Sequence, residues 1–545
     1  MKQRNGFTLA ELLGVIVILA ILVLVAFPPI VNEIRKTKSQ LNDATLKLVY
    51  SAAEIYIDNN QNTYPFYDGN NYCISLQTLV NSGDLKEPVN DVETGQPISL
   101  EKIVRVNIVN RANIDYSLVD SGDCVVVDNT PIVNADNSGA NAPMLSDNMI
   151  PIRWNGVDWV KADKRNPVGE NQWYNYDNQE WANVILVNST KRDTYNNMAV
   201  GDVIDNGDVM AYLVWVPRFK YKLFNPDASQ ISAALINVTF ESKSTAKSTG
   251  TLKDEDLTHP AFTLGTKELS GIWVGKFETT GNATTPTIKP NSVSLTNQNA
   301  KAQFDTAAKF DNSVVYGLSA INDSHMMKSV EWGAVAYLSQ SKYGKYGNSY
   351  YTDAQNLEKA IYINNINSDI GGGTLGTITG CAGDTLSASV LPSTTCPTSN
   401  QYDTAQGEKA STTGNIYGVY DMSGGSAERA MGVMLNSDKS TLQIGSSGFT
   451  QTEIDGSSML NYVNKYAYGE TVDDADAYLR RILGDSTGET RYWNEDTPYM
   501  IYNGESWLIY GSTYKDTAAA GVFAFNTSDG GAGGNVGFRV TILGE

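Results

Sequence analysis

One stretch near the start of the chain constrains it most. Residues 7–31 are apolar apart from Glu11. A helix of that length spans the hydrocarbon core of a bilayer. Residues 1–6 carry Lys2 and Arg4, whose charges hold the N-terminus on the cytoplasmic side. A secretory signal peptide has a shorter apolar core, with its small-residue cleavage site behind it. Here the small residue, Gly6, stands in front of the run and Phe7 follows it. A carboxylate such as Glu11 is expensive in hydrocarbon and requires a partner. Pro28 and Pro29 remove helical amide donors, so a kink or a loosened turn is expected there.

The string Gly6-Phe-Thr-Leu-Ala-Glu11 resembles the class III signal of type IV prepilins. The resemblance implies cleavage after Gly6 by a prepilin peptidase and methylation of the new N-terminal Phe7. It also implies that Glu11 pairs with the N-terminal amine of a neighbouring pilin subunit in a filament. The competing reading is an ordinary signal anchor with an isolated glutamate. Past the prolines, Ile34, Leu41, Leu46, Leu48, Val49, Ala52, Ala53 and Ile57 form an amphipathic pattern. One helix is therefore expected over 7–58, half in the membrane and half packed on a small head. Arg35, Lys36 and Lys38 fall on the outer side, against the positive-inside tendency, while the leader charges favour the assigned orientation.

In the head, a short helix ends at a turn at Ser82-Gly83, and strands are expected at 102–110, 113–119 and 122–127. A helix on a small antiparallel sheet is the pilin plan, so residues 1–6 are assigned to a leader and 7–127 to a pilin module. Cys73, Cys124, Cys381 and Cys396 include no Cys-x-x-Cys pair, which disfavours zinc. An even number in two local pairs, in an exported chain, suggests two disulfides. A Cys73–Cys124 bridge would tie the head to its last strand, as pilin disulfides often do; two buried thiols are the other reading.

At 545 residues the chain exceeds what one core supports, so at least two folded units are expected. With 41% hydrophobic and 10% aromatic residues, most of it cannot be disordered. A net charge of -20 argues against a nucleic-acid partner. Residues 128–146 are rich in Asn, Asp, Pro, Ser and Gly and are assigned to a linker. All nine tryptophans lie beyond it, from Trp154 to Trp507. Residues 147–545 are expected to form a second domain of short strands and polar loops, with a helix at 329–340 capped by Ser329. A Cys381–Cys396 bridge would close a surface loop there.

Four segments of this domain resemble, in order, the formylglycine-generating-enzyme (sulfatase-modifying factor) family: Gly271-Ile-Trp-Val-Gly-Lys-Phe-Glu-Thr-Thr280, Ser329-Val-Glu-Trp-Gly-Ala-Val-Ala-Tyr337, Asn415-Ile-Tyr-Gly-Val-Tyr-Asp-Met-Ser-Gly-Gly425 and Gly537-Phe-Arg-Val540. Ser506-Trp507 matches a further strand more weakly. The resemblance implies a C-type-lectin-like α+β fold, so the whole chain is assigned to the α+β class. A formylglycine generator also needs two late cysteines for copper, and none lies between Trp507 and Gly537. Soft thiolate ligation has no substitute there, so no enzyme is expected. Glu428 matches a glutamate that helps hold a structural calcium in the family, while the neighbouring asparagine is missing. No other cofactor is expected.

Trp154, Trp159, Trp173 and Trp181 are interleaved with Asn and Asp. Such rings either stack on sugar faces, with polar neighbours on the hydroxyls, or pack in the core, the commoner fate. The acidic groups Asp473-Asp474-Ala-Asp476 and Glu495-Asp496 lack an EF-hand loop. No Walker, Rossmann or nucleophile-elbow motif is present. The expectation is a minor type IV pilin, single-pass in the bacterial cytoplasmic membrane before assembly into a surface filament. Its C-terminal domain faces outward, with a glycan or a surface protein as ligand. A pseudopilin of a type II secretion or DNA-uptake machine is the alternative, and a residual formylglycine-type enzyme a third.

Overall fold

The computed structural model describes residues 13–17, 43–60, 64, 69–91, 94–110, 113–126, 134–223, 236–249, 255–345, 377–383, 395–442, 445–472 and 480–544. The chain divides into two compact units, Met1–Pro131 and Ile132–Glu545. Residues 13–17 and 43–59 are helical; the remainder of the helix expected over 7–58 lies outside the described residues, as do Pro28 and Pro29. Among the described residues no helix is long and apolar enough to cross a membrane.

In the first unit, helix 43–59 buries Val49, Ala52, Ala53 and Ile57 and exposes Leu48 and Ile55. The buried set recurs at helical spacing, which places it on one face. That face packs with a three-stranded antiparallel sheet whose central strand is Ile103–Asn110, flanked by Asn71–Ser75 and Asn113–Val119. Along the central strand Val104, Val106 and Ile108 turn inward, with the period of two that one buried face requires. Ser75 ends its strand and caps the helix Leu76–Asn81, accepting from the Thr78 amide at 3.0 Å. The strand Asn71–Ser75 is absent from the sequence-based expectation. Where a strand is expected over 122–127, Gly122 and Asp123 belong to a 3-10 turn at Ser121–Asp123, and residues 124–126 form no strand. Gly122 and Asp123 have no ladder partner there, and the disulfide Cys73–Cys124 fastens this segment to the edge strand.

The second unit is mostly sheet with few helices among its described residues. A seven-stranded antiparallel sheet runs in the order His325–Met326, Val540–Ile542, Gly271–Gly275, Val209–Pro217, Asn183–Val187, Ile150–Trp154, Trp159–Lys161. Its central strands are buried on both faces, so they show no alternation. A mixed five-stranded sheet is built on Ala427–Met434, which pairs with Trp507–Tyr510 on one side and with Asn464–Tyr466 and Val536–Phe538 in parallel. The helix Ser329–Ser339 is buried all round, as its lack of a polar stripe requires. The disulfide Cys381–Cys396 closes a loop in this unit.

Residues 134–146, assigned from sequence to the linker, belong to the second unit. The Asn141 carbonyl accepts the indole N–H of Trp215 at 3.1 Å, and the Met144 carbonyl that of Trp273 at 2.7 Å. The polar composition that resembled a linker supplies backbone acceptors to buried tryptophans.

Candidate functional site

The processing and assembly residues Gly6, Phe7 and Glu11 lie outside the described residues. The other segments singled out by sequence meet at one buried joint. Val536–Phe538 pairs with Ala427–Arg429 in the five-stranded sheet, and Val540–Ile542 pairs with Gly271–Gly275 in the seven-stranded one. Arg539 stands between them and is fully buried. Its Nε donates to Glu428 Oε2 at 3.0 Å, its Nη2 reaches Glu428 Oε1, and Nη1 donates to the Gly275 carbonyl at 2.7 Å. Nη2 also donates to the Tyr420 carbonyl at 2.8 Å. Three of the resembling segments thus contribute to one guanidinium, and the Arg539 carbonyl accepts from Met327, just ahead of the fourth.

The fourth segment enters through Glu331. Its Oε2 accepts from Thr541 Oγ1 at 3.0 Å and from the Lys328 amide at 2.9 Å, and His325 Nε2 lies 3.1 Å from Oε1. Burial alone would raise the Glu331 carboxyl, but Lys328 and His325 hold it down at about 2. Burial alone would lower His325, but Glu331 and Asp323 push it up to about 9.

Glu428, for which the resemblance implies a calcium, is engaged by the arginine. Both Glu428 oxygens face Arg539, so a cation there would displace a buried guanidinium. No group of three or more His, Cys, Asp or Glu side chains is arranged to hold a metal among the described residues. Three of the four tryptophans read as carbohydrate candidates are buried. Trp159, Trp173 and Trp181 are buried, and their indole N–H groups donate to Tyr402 Oη, the Asn183 carbonyl and the Tyr343 carbonyl. Trp154 is half-buried, edge-on to Trp159. Rings committed to the core offer no face to a sugar.

Sequence reasoning passed over a second buried cation. Lys276 directly follows the strand Gly271–Gly275, and its ammonium donates to Asn183 Oδ1 at 2.9 Å and to the Ile416 and Gly418 carbonyls at 2.6 and 2.9 Å. It also lies over the Trp159 and Tyr420 rings. Burial holds it well below the usual lysine range. The available signal was a lysine inside the apolar string Ile-Trp-Val-Gly-Lys-Phe.

Comparison with known proteins finds the model of the prokaryotic N-terminal methylation motif matching residues 1–27. No curated protein matches the chain. Among solved structures, it is similar to the Major Tropism Determinant I1 variant at 11% identity and a TM-score of 0.25, covering 83% of this chain and 93% of that one. The U1 variant of the same protein gives 11% identity and a TM-score of 0.24, covering 80% and 93%. Likenesses this low carry no argument about fold. The methylation motif, with the charged leader and Glu11 it contains, makes this in general terms a type IV pilin- or pseudopilin-like protein.

Proposed function

We propose that the chain is a minor subunit of a type IV pilus, cut after Gly6 and methylated at Phe7. Its N-terminal helix enters the filament, and the unit Ile132–Glu545 is displayed outside as a C-type-lectin-like adhesive domain for a glycan or a surface protein. The methylation motif at residues 1–27 carries this reading. The division of the chain into a small unit behind that motif and a much larger one supports it. A displayed unit of that size would crowd its neighbours if every subunit bore one, which favours the tip or sparse positions along the shaft. The lectin-like reading draws its support from the meeting of the resembling segments around Arg539 and Glu331. In this reading the large unit binds and does not catalyse. Its cysteines are joined in Cys381–Cys396, which leaves no thiolate of the kind copper requires.

The test is to shear filaments from cells and search them for the chain, then compare the adhesion of wild-type cells with cells lacking residues 132–545. The chain in filaments, with adhesion lost in the truncated strain, is the expected result. Recovery from the membrane alone, with secretion or DNA uptake impaired and adhesion intact, would replace this reading with the pseudopilin one.

A further inference from the structure

We infer that Lys276 and Asn183 form an intramolecular isopeptide bond in the mature protein, an amide cross-link between Nζ of the first and Cγ of the second.

The placement is that of two reactants held for condensation. Nζ lies 2.9 Å from Asn183 Oδ1, with both side chains fully buried, so the carboxamide carbon is one bond beyond a contact atom. The amine is fixed from behind by the Ile416 and Gly418 carbonyls. The carboxamide is fixed as firmly, because its Nδ2 donates to the Trp181 and Tyr417 carbonyls at 2.9 and 2.8 Å. That arrangement leaves Oδ1 facing the lysine, one bond from Cγ. Holding both groups in one buried place removes most of the entropic cost of bringing them together. The flanking rings of Trp159 and Tyr420 exclude the water that would otherwise compete. A lysine desolvated in this way holds its proton weakly, and the neutral amine is the nucleophile.

The step balances without any other reagent. The Nζ lone pair attacks Cγ of Asn183 and the Nζ–Cγ bond forms. The Cγ–Nδ2 bond then breaks, and Nδ2 leaves as ammonia with one proton that came from Nζ. No atom changes oxidation state and no water is consumed.

The bond would join residues 93 positions apart. It would also link Asn183–Val187 to the end of Gly271–Gly275 across the intervening strand Val209–Pro217.

Intact-mass measurement of the full-length purified protein tests this directly. After disulfides and processing are accounted for, the chain is expected to be lighter than its sequence by one ammonia. Tryptic digestion is expected to yield one branched peptide carrying both Lys276 and Asn183. A chain of full mass, cleaved by trypsin after Lys276, overturns the proposal. Lys276→Met is expected to restore the full mass, and a persistent ammonia deficit in that variant would assign the loss to another site and overturn it too.

Discussion

The two units of this chain are stabilised in different ways. Among its described residues, the first unit has one buried polar side chain, Asn70, which donates to Tyr72 Oη. Everything else in its core is apolar and alternates or recurs with the period of its element. The second unit buries whole cations. Arg218 is held by Glu241, Glu268 and the carbonyls of Ser244, Phe262 and Leu269. Arg539 is held by Glu428 and the Gly275 and Tyr420 carbonyls, and the Lys276 side-chain nitrogen by the Ile416 and Gly418 carbonyls. A unit with long irregular connections has many carbonyls outside ladders. A buried guanidinium or ammonium satisfies several of them at once and fixes which loops meet.

The largest expected effect separates the two units. Arg539→Met leaves Glu428 buried without its partner and orphans the Gly275 and Tyr420 carbonyls, at a cost of about 3–5 kcal/mol. Urea denaturation followed by tryptophan fluorescence should show it, because every tryptophan lies in the second unit. If Arg539→Met were tolerated within about 1 kcal/mol, the joint would not be what holds the sheets together. The counterpart in the first unit is Leu79→Ala. Leu79 is fully buried, and the cavity should cost about 3 kcal/mol while leaving the tryptophan-reported transition in place.

The third effect is a pH dependence of the second unit. Glu331 and Asp323 face His325, Lys328 faces Glu331, and the Tyr462 hydroxyl donates to Asp323. His325 is raised from 6.5 to about 9, so its stabilisation is whole below pH 6.5 and is lost as pH climbs through 9. The loss should be on the order of 2 kcal/mol, and His325→Gln should flatten the curve over that range. Glu331 is depressed from 4.5 to about 2, so its contribution is present above 4.5 and disappears as pH falls toward 2. A denaturation midpoint independent of pH between 6 and 10 would contradict the charged network.

The smallest effect compares the two disulfides. Cys73–Cys124 encloses a separation of 51 residues and Cys381–Cys396 one of 15. Loop-closure entropy therefore predicts that removing the first by Cys→Ser substitution costs about 1 kcal/mol more than removing the second. Equal costs, measured by denaturation of each pair of variants, would show that loop length is not the deciding variable.

How much of this was legible in the sequence follows the same division. The face of helix 43–59, the strands 103–110 and 113–119, and the turn at Gly83 follow from period and turn chemistry. The strand Asn71–Ser75 was missed because it runs directly into its helix, with Ser75 serving both. In the second unit the helix Ser329–Ser339 was legible, but its sheet partners were not, since doubly buried strands carry no alternation. Nor does any local pattern reveal that Arg539 reaches Glu428, 111 positions away. The tryptophans of 154–181 looked adhesive because polar residues surround them, yet the indole N–H groups of Trp159 and Trp181 are satisfied in the core by Tyr402 and Tyr343, far along the chain.

The central claim is that the chain enters a filament through a processed N-terminus. The most direct test is to sequence the N-terminal peptide of the chain, recovered from cells, by tandem mass spectrometry. The account predicts a peptide that begins at N-methylated Phe7 and lacks residues 1–6. A peptide that begins at Met1 in wild-type cells with an active prepilin peptidase would contradict it.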